Sequence, residues 1–571
     1  FCTKGMVKIM KYNYMKLLSN KQYLNDIVGE KDGKVYKTKF RLRNGYVVPL
    51  IIVFDDFFPA HLPLVSIDTD CFHVPKKPHI LRSGLICYLD KEGVIWDTDP
   101  SILLDLVFER VEDILLANSE IVEFHREFNY YFSTLNNLKT AFSIYNKTNR
   151  VEQINVYTGK NSAPICFLAD DEQSIKMLER LYELKITNLP NKALFIPLDK
   201  TYKGNVPQGD QFWSAEEIQN LILEHTTEEK IEQLKIFAKN KNNYYYLLEI
   251  PLITGQRVRI GLWYKKIEGR STKSVPIIEY DPSQVFEILP IFICREDDNS
   301  LIKRGGGLTT NSRILLVGCG SIGSDILFLL ARSGIKEFTI VDNDKLSMEN
   351  SYRHFLGMNM AIKAKAKVDL LKKEIETRYP NTNVEALNTD ILVAISNKQV
   401  DLEEFSLIIF AIGDPNVERK LNELVLETNT PAIFTWVEAY GIGGHALLVN
   451  ITEKGCYECL IKEDLSNYAA FAGKSDIPYT MNINGCSGTY TPYGGVDSMQ
   501  TALIATRLAL SLVRGETTEN CLVSWKGQAK QFRESGFSTS SRYEESLDVL
   551  ENGTTNFIRT DCRVCGKRGS R

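Results

Sequence analysis

A chain of 571 residues, 44% hydrophobic, 25% charged and 10% aromatic, is too long for one core and predicts a globular protein of three domains. A formal net charge of -4 and the lack of a basic stripe exclude nucleic acid as an electrostatic partner. No run of about 18 uninterrupted apolar residues offers a membrane span: the most hydrophobic segment, Ile314 to Ala331, is broken by glycines, serines and Asp325.

The first residues, Phe1-Cys-Thr-Lys-Gly-Met6, carry no extended apolar leader. Twelve cysteines without secretory features read as reduced thiols, metal ligands or nucleophiles rather than a disulfide scaffold, and the expected compartment is the cytoplasm. Residues 1–140 are expected to form an α+β domain. Tyr36 to Val53 alternates as strands around an Arg43-Asn44-Gly45 turn, and Pro59 and Pro63 impose an extended passage. Beyond Pro100, the positions Ile102, Leu103, Leu106, Val107, Val111, Ile114 and Leu115 recur at helical spacing.

Residues 141–304 mix strands, as in Asn243 to Ile250, with helices, as in Ser214 to Glu224, and show no chemical motif. They read as a linker or docking domain. Three glycines, Gly305 to Gly307, then suggest a linker or hinge. In residues 305–571, strand candidates at Ile314–Val317, Phe338–Val341, Leu407–Ala411 and Ile433–Val437 alternate with helical stretches. That alternation predicts an α/β, mostly parallel sheet covered on both faces. The fold class is therefore multidomain, α+β followed by α/β.

Gly318-x-Gly320-x-x-Gly323 follows a strand and opens a helix, which sets backbone N–H groups and the positive helix end where a phosphate can sit. Asp342 ends the next strand, where a ribose hydroxyl would be held. These features fit a dinucleotide oxidoreductase as well as an ATP enzyme. What separates the two is the run Val341-Asp-Asn-Asp-Lys-Leu-Ser-Met-Glu-Asn350-Ser-Tyr-Arg353-His, followed by Lys367 ahead of Arg378-Tyr379-Pro380, and by Asp414 after the strand Leu407 to Gly413. The whole resembles the ubiquitin-activating, molybdopterin-synthase-activating and thiamin-synthesis (ThiF) adenylyltransferase superfamily over roughly residues 313 to 571. The resemblance implies ATP and Mg2+ as cofactors, with Gly318, Gly320, Gly323, Asp342, Asp344, Asn350, Arg353, Lys367 and Asp414 at the nucleotide, Asp414 holding the magnesium, and Arg353 and Lys367 offsetting phosphate charge. Lys365 competes for the lysine role. An upstream arginine used by family members falls to Arg295 or Arg304, and pairing through this domain implies a homodimer.

Cys456-x-x-Cys459 and Cys562-x-x-Cys565 each present two thiolates at metal-binding spacing, and together they would close one four-sulfur zinc site. The superfamily carries the same paired arrangement. Two further cysteines stand out as acyl carriers. Cys486 lies among glycines ahead of the apolar helix Ser498 to Val513, a setting that favours a reachable thiolate, and it resembles the crossover-loop cysteine of autophagy-type activating enzymes. Cys87 ends Gly84-Leu-Ile-Cys87, after Pro59, Pro63 and His79 and before Trp96. That order, over about residues 20 to 140, resembles the ubiquitin-conjugating fold, in which this cysteine carries the thioester. The usual His-Pro-Asn stands here as His79-Ile-Leu, without the asparagine that steadies an oxyanion.

A conjugating-like domain, a linker domain and an activating domain in that order resemble the fused enzymes of bacterial cyclic-oligonucleotide antiphage (CBASS) operons. The resemblance implies an enzyme that adenylates the free C-terminal tail of a partner protein, a cGAS/DncV-like nucleotidyltransferase. It would pass the acyl group through two cysteines and ligate it to a lysine or other amine. A system built on a small ubiquitin-like or sulfur-carrier donor is the alternative.

Overall fold

The computed structural model describes residues 12–30, 32–89, 94–118, 121–147, 149–158, 165–183, 185, 190–238, 244–268, 276–278, 285–362, 364–482 and 489–566. The chain forms two compact units, Phe1–Asp170 with Leu189–Cys294, and Asp171–Asn188 with Arg295–Arg571. Among the described residues no helix is long and apolar enough to cross a membrane.

The first unit opens with an antiparallel sheet, β1 (Leu24–Gly29), β2 (Val35–Arg41), β3 (Val47–Val53) and β4 (Leu64–Ile67), in that spatial order. Strand side chains alternate between faces, so Tyr36, Thr38 and Phe40 of β2 and Val48, Leu50 and Ile52 of β3 all point into one core. The β2–β3 turn closes at Gly45, whose φ of 89° suits glycine. The helix Pro100–Leu116 covers this core. Asp99 caps it by accepting from the Ser101 and Ile102 N–H groups, and Pro100 occupies its first turn, where no N–H is needed. Leu103, Leu104, Val107, Phe108, Val111 and Leu115 form its buried stripe, whereas Ile102, expected with them, is 55% exposed at the open end of the first turn.

The same unit continues into a closed barrel. Its strands are β5 (Lys139–Ser143), β6 (Glu152–Tyr157), β7 (Ile165–Leu168), β8 (Asn191–Pro197), β9 (Tyr245–Pro251), β10 (Arg257–Glu268) and β11 (Val285–Arg295), ordered β10-β11-β5-β7-β6-β8-β9. One core takes Ile154, Val156, Phe167, Phe195, Leu247 and Ile291. Leu194, Ile196, Tyr246 and Leu248, one position out of phase, feed a second core together with Phe128 and Phe132. Both faces of β8 and β9 are thus buried, which is why their sequences run apolar rather than alternating.

In the second unit a seven-stranded sheet runs β14 (Asn383–Leu387), β13 (Glu337–Val341), β12 (Arg313–Val317), β15 (Leu407–Phe410), β16 (Ala432–Val437), β17 (Gly443–Val449) and β20 (Leu522–Lys526). The first five strands are parallel, and β17 and β20 add on antiparallel. One face is covered by the helices Ser321–Arg332 and Gly495–Val513. Residues 171–188 fold with this unit, and Arg180 ties their helix to Glu376 at 3.5 Å and to the Pro380 carbonyl at 3.0 Å. Gly305 to Gly307 close a helix rather than form a linker. Gly306 and Gly307 donate to the Lys303 and Ile302 carbonyls at the end of the helix Asp298–Arg304, and a Cβ on Gly307 would lie 2.8 Å from Ile302.

Candidate nucleotide site, cysteine cluster and acyl-carrying cysteines

The turn from β12 into the helix Ser321–Arg332 uses its three glycines for different reasons. Gly318 has φ of 88°, and a Cβ there would lie 2.5 Å from the Ala411 carbonyl oxygen. A Cβ on Gly323 would lie 1.9 Å from the Gly318 carbonyl oxygen. These two let the helix sit down on the sheet. Gly320, the N-cap, has nothing within 4 Å of its missing Cβ, so its open side is room for a ligand at a helix N-terminus. Gly323→Ala is therefore expected to destabilise by roughly 1–3 kcal/mol through overpacking. Gly320→Ala should leave the melting temperature unchanged while weakening ATP binding, which paired thermal melts and nucleotide titrations would resolve.

Asp342 binds the same turn, with one carboxylate oxygen accepting the Cys319 N–H at 2.6 Å and the other the Asp344 N–H at 2.8 Å. Asp344 in turn accepts from Lys367 Nζ at 2.8 Å, and Lys367, 6% exposed, opens the helix Lys367–Arg378. Lys365, the competing lysine, is exposed. Asn350 ends a short turn whose carbonyl receives the Arg353 and His354 N–H groups. His354 is buried. Its Nε2 meets the Cys319 carbonyl at 2.9 Å and its Nδ1 accepts the Leu356 N–H at 3.2 Å. Burial first of all lowers its pKa to about 4, so a neutral ring clamps the glycine turn to the Arg353 segment.

Arg353 lies 4.5 Å over the Tyr493 ring and reaches the Thr491 carbonyl at 3.3 Å. Tyr493 meets Ser321 Oγ at 3.0 Å. Arg353 and Gly320 share a cavity of about 450 Å3 with Gly413, Trp436, Tyr457 and Tyr490. Asp414 caps the helix Pro415–Val425 with a single oxygen, accepting from Asn416 at 2.9 Å and Val417 at 3.2 Å. Glu418, one turn on and 1% exposed, also lines the cavity, and burial pushes its carboxyl up to about 7. The sequence reading did not single out Trp436, Tyr457, Glu418 or Tyr493. Tyr493 sits inside the glycine-rich run that follows Cys486, Tyr457 between the cysteines of the first pair and Trp436 within a strand candidate, but none of the three carried a role of its own. Of the upstream arginines, Arg295 is paired with Asp297 at 2.6 Å and Arg304 ends an exposed helix turn.

The four paired cysteines converge. Cys456 Sγ is 3.8 Å from Cys562 Sγ and Cys459 Sγ is 3.5 Å from Cys565 Sγ, and all four sulfurs lie within 4.8 Å of one another. A tetrahedral ion with metal–sulfur bonds of about 2.3 Å has sulfur–sulfur edges of about 3.8 Å, so the cluster fits one such ion. Glu458, between the first two cysteines, accepts from Arg419 at 2.8 Å and from Arg563 at 2.6 Å, joining both cysteine turns to the helix Pro415–Val425.

Cys87 is exposed. Gly84, with φ of 84°, brings the loop so close to β4 that a Cβ would lie 2.5 Å from the Ile67 carbonyl oxygen. The Cys87 N–H donates to the His79 carbonyl at 2.8 Å. The His79 ring meets Glu127 at 3.2 Å, a pairing that raises its pKa. Cys486 lies outside the described residues. Its flanks, β18 (Met481–Asn482) and β19 (Thr489–Tyr490), pair antiparallel.

Residues 305–535 match the ThiF family and residues 15–141 match prokaryotic E2 family B. The ATP-dependent ubiquitin transferase-like protein Cap2 of Escherichia coli (strain TW11681) is 23% identical over 522 residues, covering 82% of this chain and 86% of that one. The NEDD8-activating enzyme E1 catalytic subunit of Schizosaccharomyces pombe is 31% identical over 153 residues, 26% of this chain and 33% of its own length. Among solved structures, E. coli MccB with ATP superposes with a TM-score of 0.33 at 18% identity, over 47% of this chain and 70% of that one. The chain thus joins a prokaryotic E2 family B domain to a ThiF family adenylation domain in one polypeptide, the architecture of the fused activating–conjugating enzymes.

Proposed function

We propose that this protein uses ATP to activate the C-terminal carboxylate of a partner protein, carries the acyl group as a thioester on Cys486 and then on Cys87, and ligates it to a lysine or other amine. The observation that carries the reading is the open side of Gly320 in one cavity with Arg353, within a chain that also holds an exposed Cys87 in an E2 family domain. In this reading the tail carboxylate attacks the α-phosphate and pyrophosphate leaves. Arg353 and Lys367 offset the phosphate charge, each exchanging its present partner, Tyr493 or Asp344, for phosphate oxygens. Asp342 would hold the ribose and Asp414 the magnesium. Zinc is the fitting ion for four thiolates in a closed site.

The donor is read as a cGAS/DncV-like nucleotidyltransferase of a CBASS operon, on the resemblance to the fused enzymes and the likeness to Cap2. A homodimer through the adenylation domain is supported by apolar side chains left open on it, Tyr352 at 89%, Ile362 at 74% and Val496 at 79% exposure. The test is exchange of labelled pyrophosphate into ATP, with Mg2+ and the product of a neighbouring gene as donor. Asp414→Ala is expected to reduce exchange by roughly 10²-fold or more by removing a ligand from the ion that neutralises the leaving group. Undiminished exchange would remove Asp414 from that role.

A further inference from the structure

The helix Pro415–Val425, which opens at Asp414, is gripped on one side by the turn that holds the first cysteine pair. Arg419 donates to both carboxylate oxygens of Glu458, from Nε at 2.8 Å and from Nη2 at 3.1 Å. Three residues on, the fully buried Asn422 accepts the Tyr457 N–H at 3.0 Å. Glu458 also receives Nε of Arg563 at 2.6 Å, and Arg563 lies between Cys562 and Cys565. The carboxylate that grips the helix is therefore fixed by residues of both cysteine turns, which one ion would draw together.

The start of the same helix faces the nucleotide cavity. Glu418, next to Arg419, lines that cavity, and its Oε1 accepts the Gly413 N–H at 3.2 Å. Gly413, with φ of 75°, a conformation that favours glycine, leads directly into Asp414. Tyr457 supplies part of the cavity wall and packs on Trp436 with ring centroids 5.9 Å apart. Arg419 is not among the described residues that line the cavity, so any effect it has on a bound nucleotide passes through the helix it holds.

We infer that Arg419 is a positioning residue for Asp414: by tying the helix to Glu458, it makes the four-cysteine cluster fix the place of the magnesium ligand. The inference rests on the reading of Asp414 as that ligand. Groups that orient a metal ligand from behind change metal affinity by roughly 10–100-fold when they are removed.

The test follows ATP binding to the full chain by calorimetry, in EDTA and over a series of Mg2+ concentrations, with zinc content and melting temperature read on the same preparations. Arg419→Met is expected to keep about one zinc per chain, since the four thiolates are untouched, and to bind ATP in EDTA with wild-type affinity. It should need at least about tenfold more Mg2+ to reach half of the gain in ATP affinity that Mg2+ confers. A residue that only held the fold together would lower ATP affinity alike with and without Mg2+. Arg419→Lys, which restores one of the two bonds, is expected to fall between wild type and Arg419→Met. Asp414→Ala is the control and should lose the gain from Mg2+. A smaller shift in Arg419→Met, or loss of its zinc, overturns the inference and leaves Asp414 as the ligand. Where Arg419→Met does not fold, a wild-type Mg2+ requirement in Arg419→Lys overturns it equally. An undiminished gain in Asp414→Ala overturns both the inference and the reading on which it rests.

Discussion

Cys486→Ala is expected to abolish thioester on both cysteines while sparing pyrophosphate exchange. The order follows from chemistry and placement in sequence. Cys486 belongs to the adenylation domain, between β18 and β19 and ahead of the helix Gly495–Val513, whereas Cys87 belongs to the E2 family domain. Attack on an acyl adenylate releases a good leaving group, and thioester exchange onto Cys87 then conserves the activation. Removing an attacking nucleophile lowers rates by several orders of magnitude, so loading of either thiol should fall below detection in gels run without reducing agent. Cys87→Ala should leave an adduct on Cys486 that dithiothreitol removes, and should block transfer to the amine. Loading of Cys87 at the native rate in Cys486→Ala would replace the relay with direct transfer from the adenylate.

Cys562→Ser is expected to release the metal and destabilise the second unit. Cys562 is 1% exposed and faces Cys456 at 3.8 Å, so the cluster staples the C-terminal turn to the end of the sheet. Structural zinc supplies on the order of 10 kcal/mol in small domains. A loss of only about 3 kcal/mol would lower the melting temperature by roughly 6–12 °C for a domain of 150–250 residues. Metal analysis should find about one zinc per chain in the native protein. A metal-free preparation of full thermal stability would show that the two cysteine pairs serve another purpose.

Local physics accounts for what was legible in the amino-acid order. Apolar residues at period two marked β2 and β3, and continuous apolar runs marked the parallel strands β12, β13, β15 and β16. The glycine turn was readable because strand, turn and helix are consecutive and the backbone leaves no space for side chains at Gly318 and Gly323. Cys-x-x-Cys spacing likewise announced two ligand pairs, and Pro100 ahead of helically spaced apolar residues announced a helix.

Other features depend on contacts between residues far apart in the chain. That Lys367 rather than Lys365 is enclosed follows from the approach of the Asp344 loop to the helix Lys367–Arg378. The stacking of Arg353 on Tyr493 joins segments more than a hundred residues apart, as does its bond to Thr491, and no local pattern encodes such a meeting. The closed barrel was hidden because β8 and β9 are buried on both faces, so they lack the alternation that reveals a half-covered sheet. The sequence by itself determined the glycine turn, the two cysteine pairs and the strands of the parallel sheet, because glycine conformation, thiol spacing and strand periodicity are properties of neighbouring residues. Only the tertiary structure decided which lysine is enclosed and which aromatics line the cavity beside Gly320, because chain crossings set those contacts.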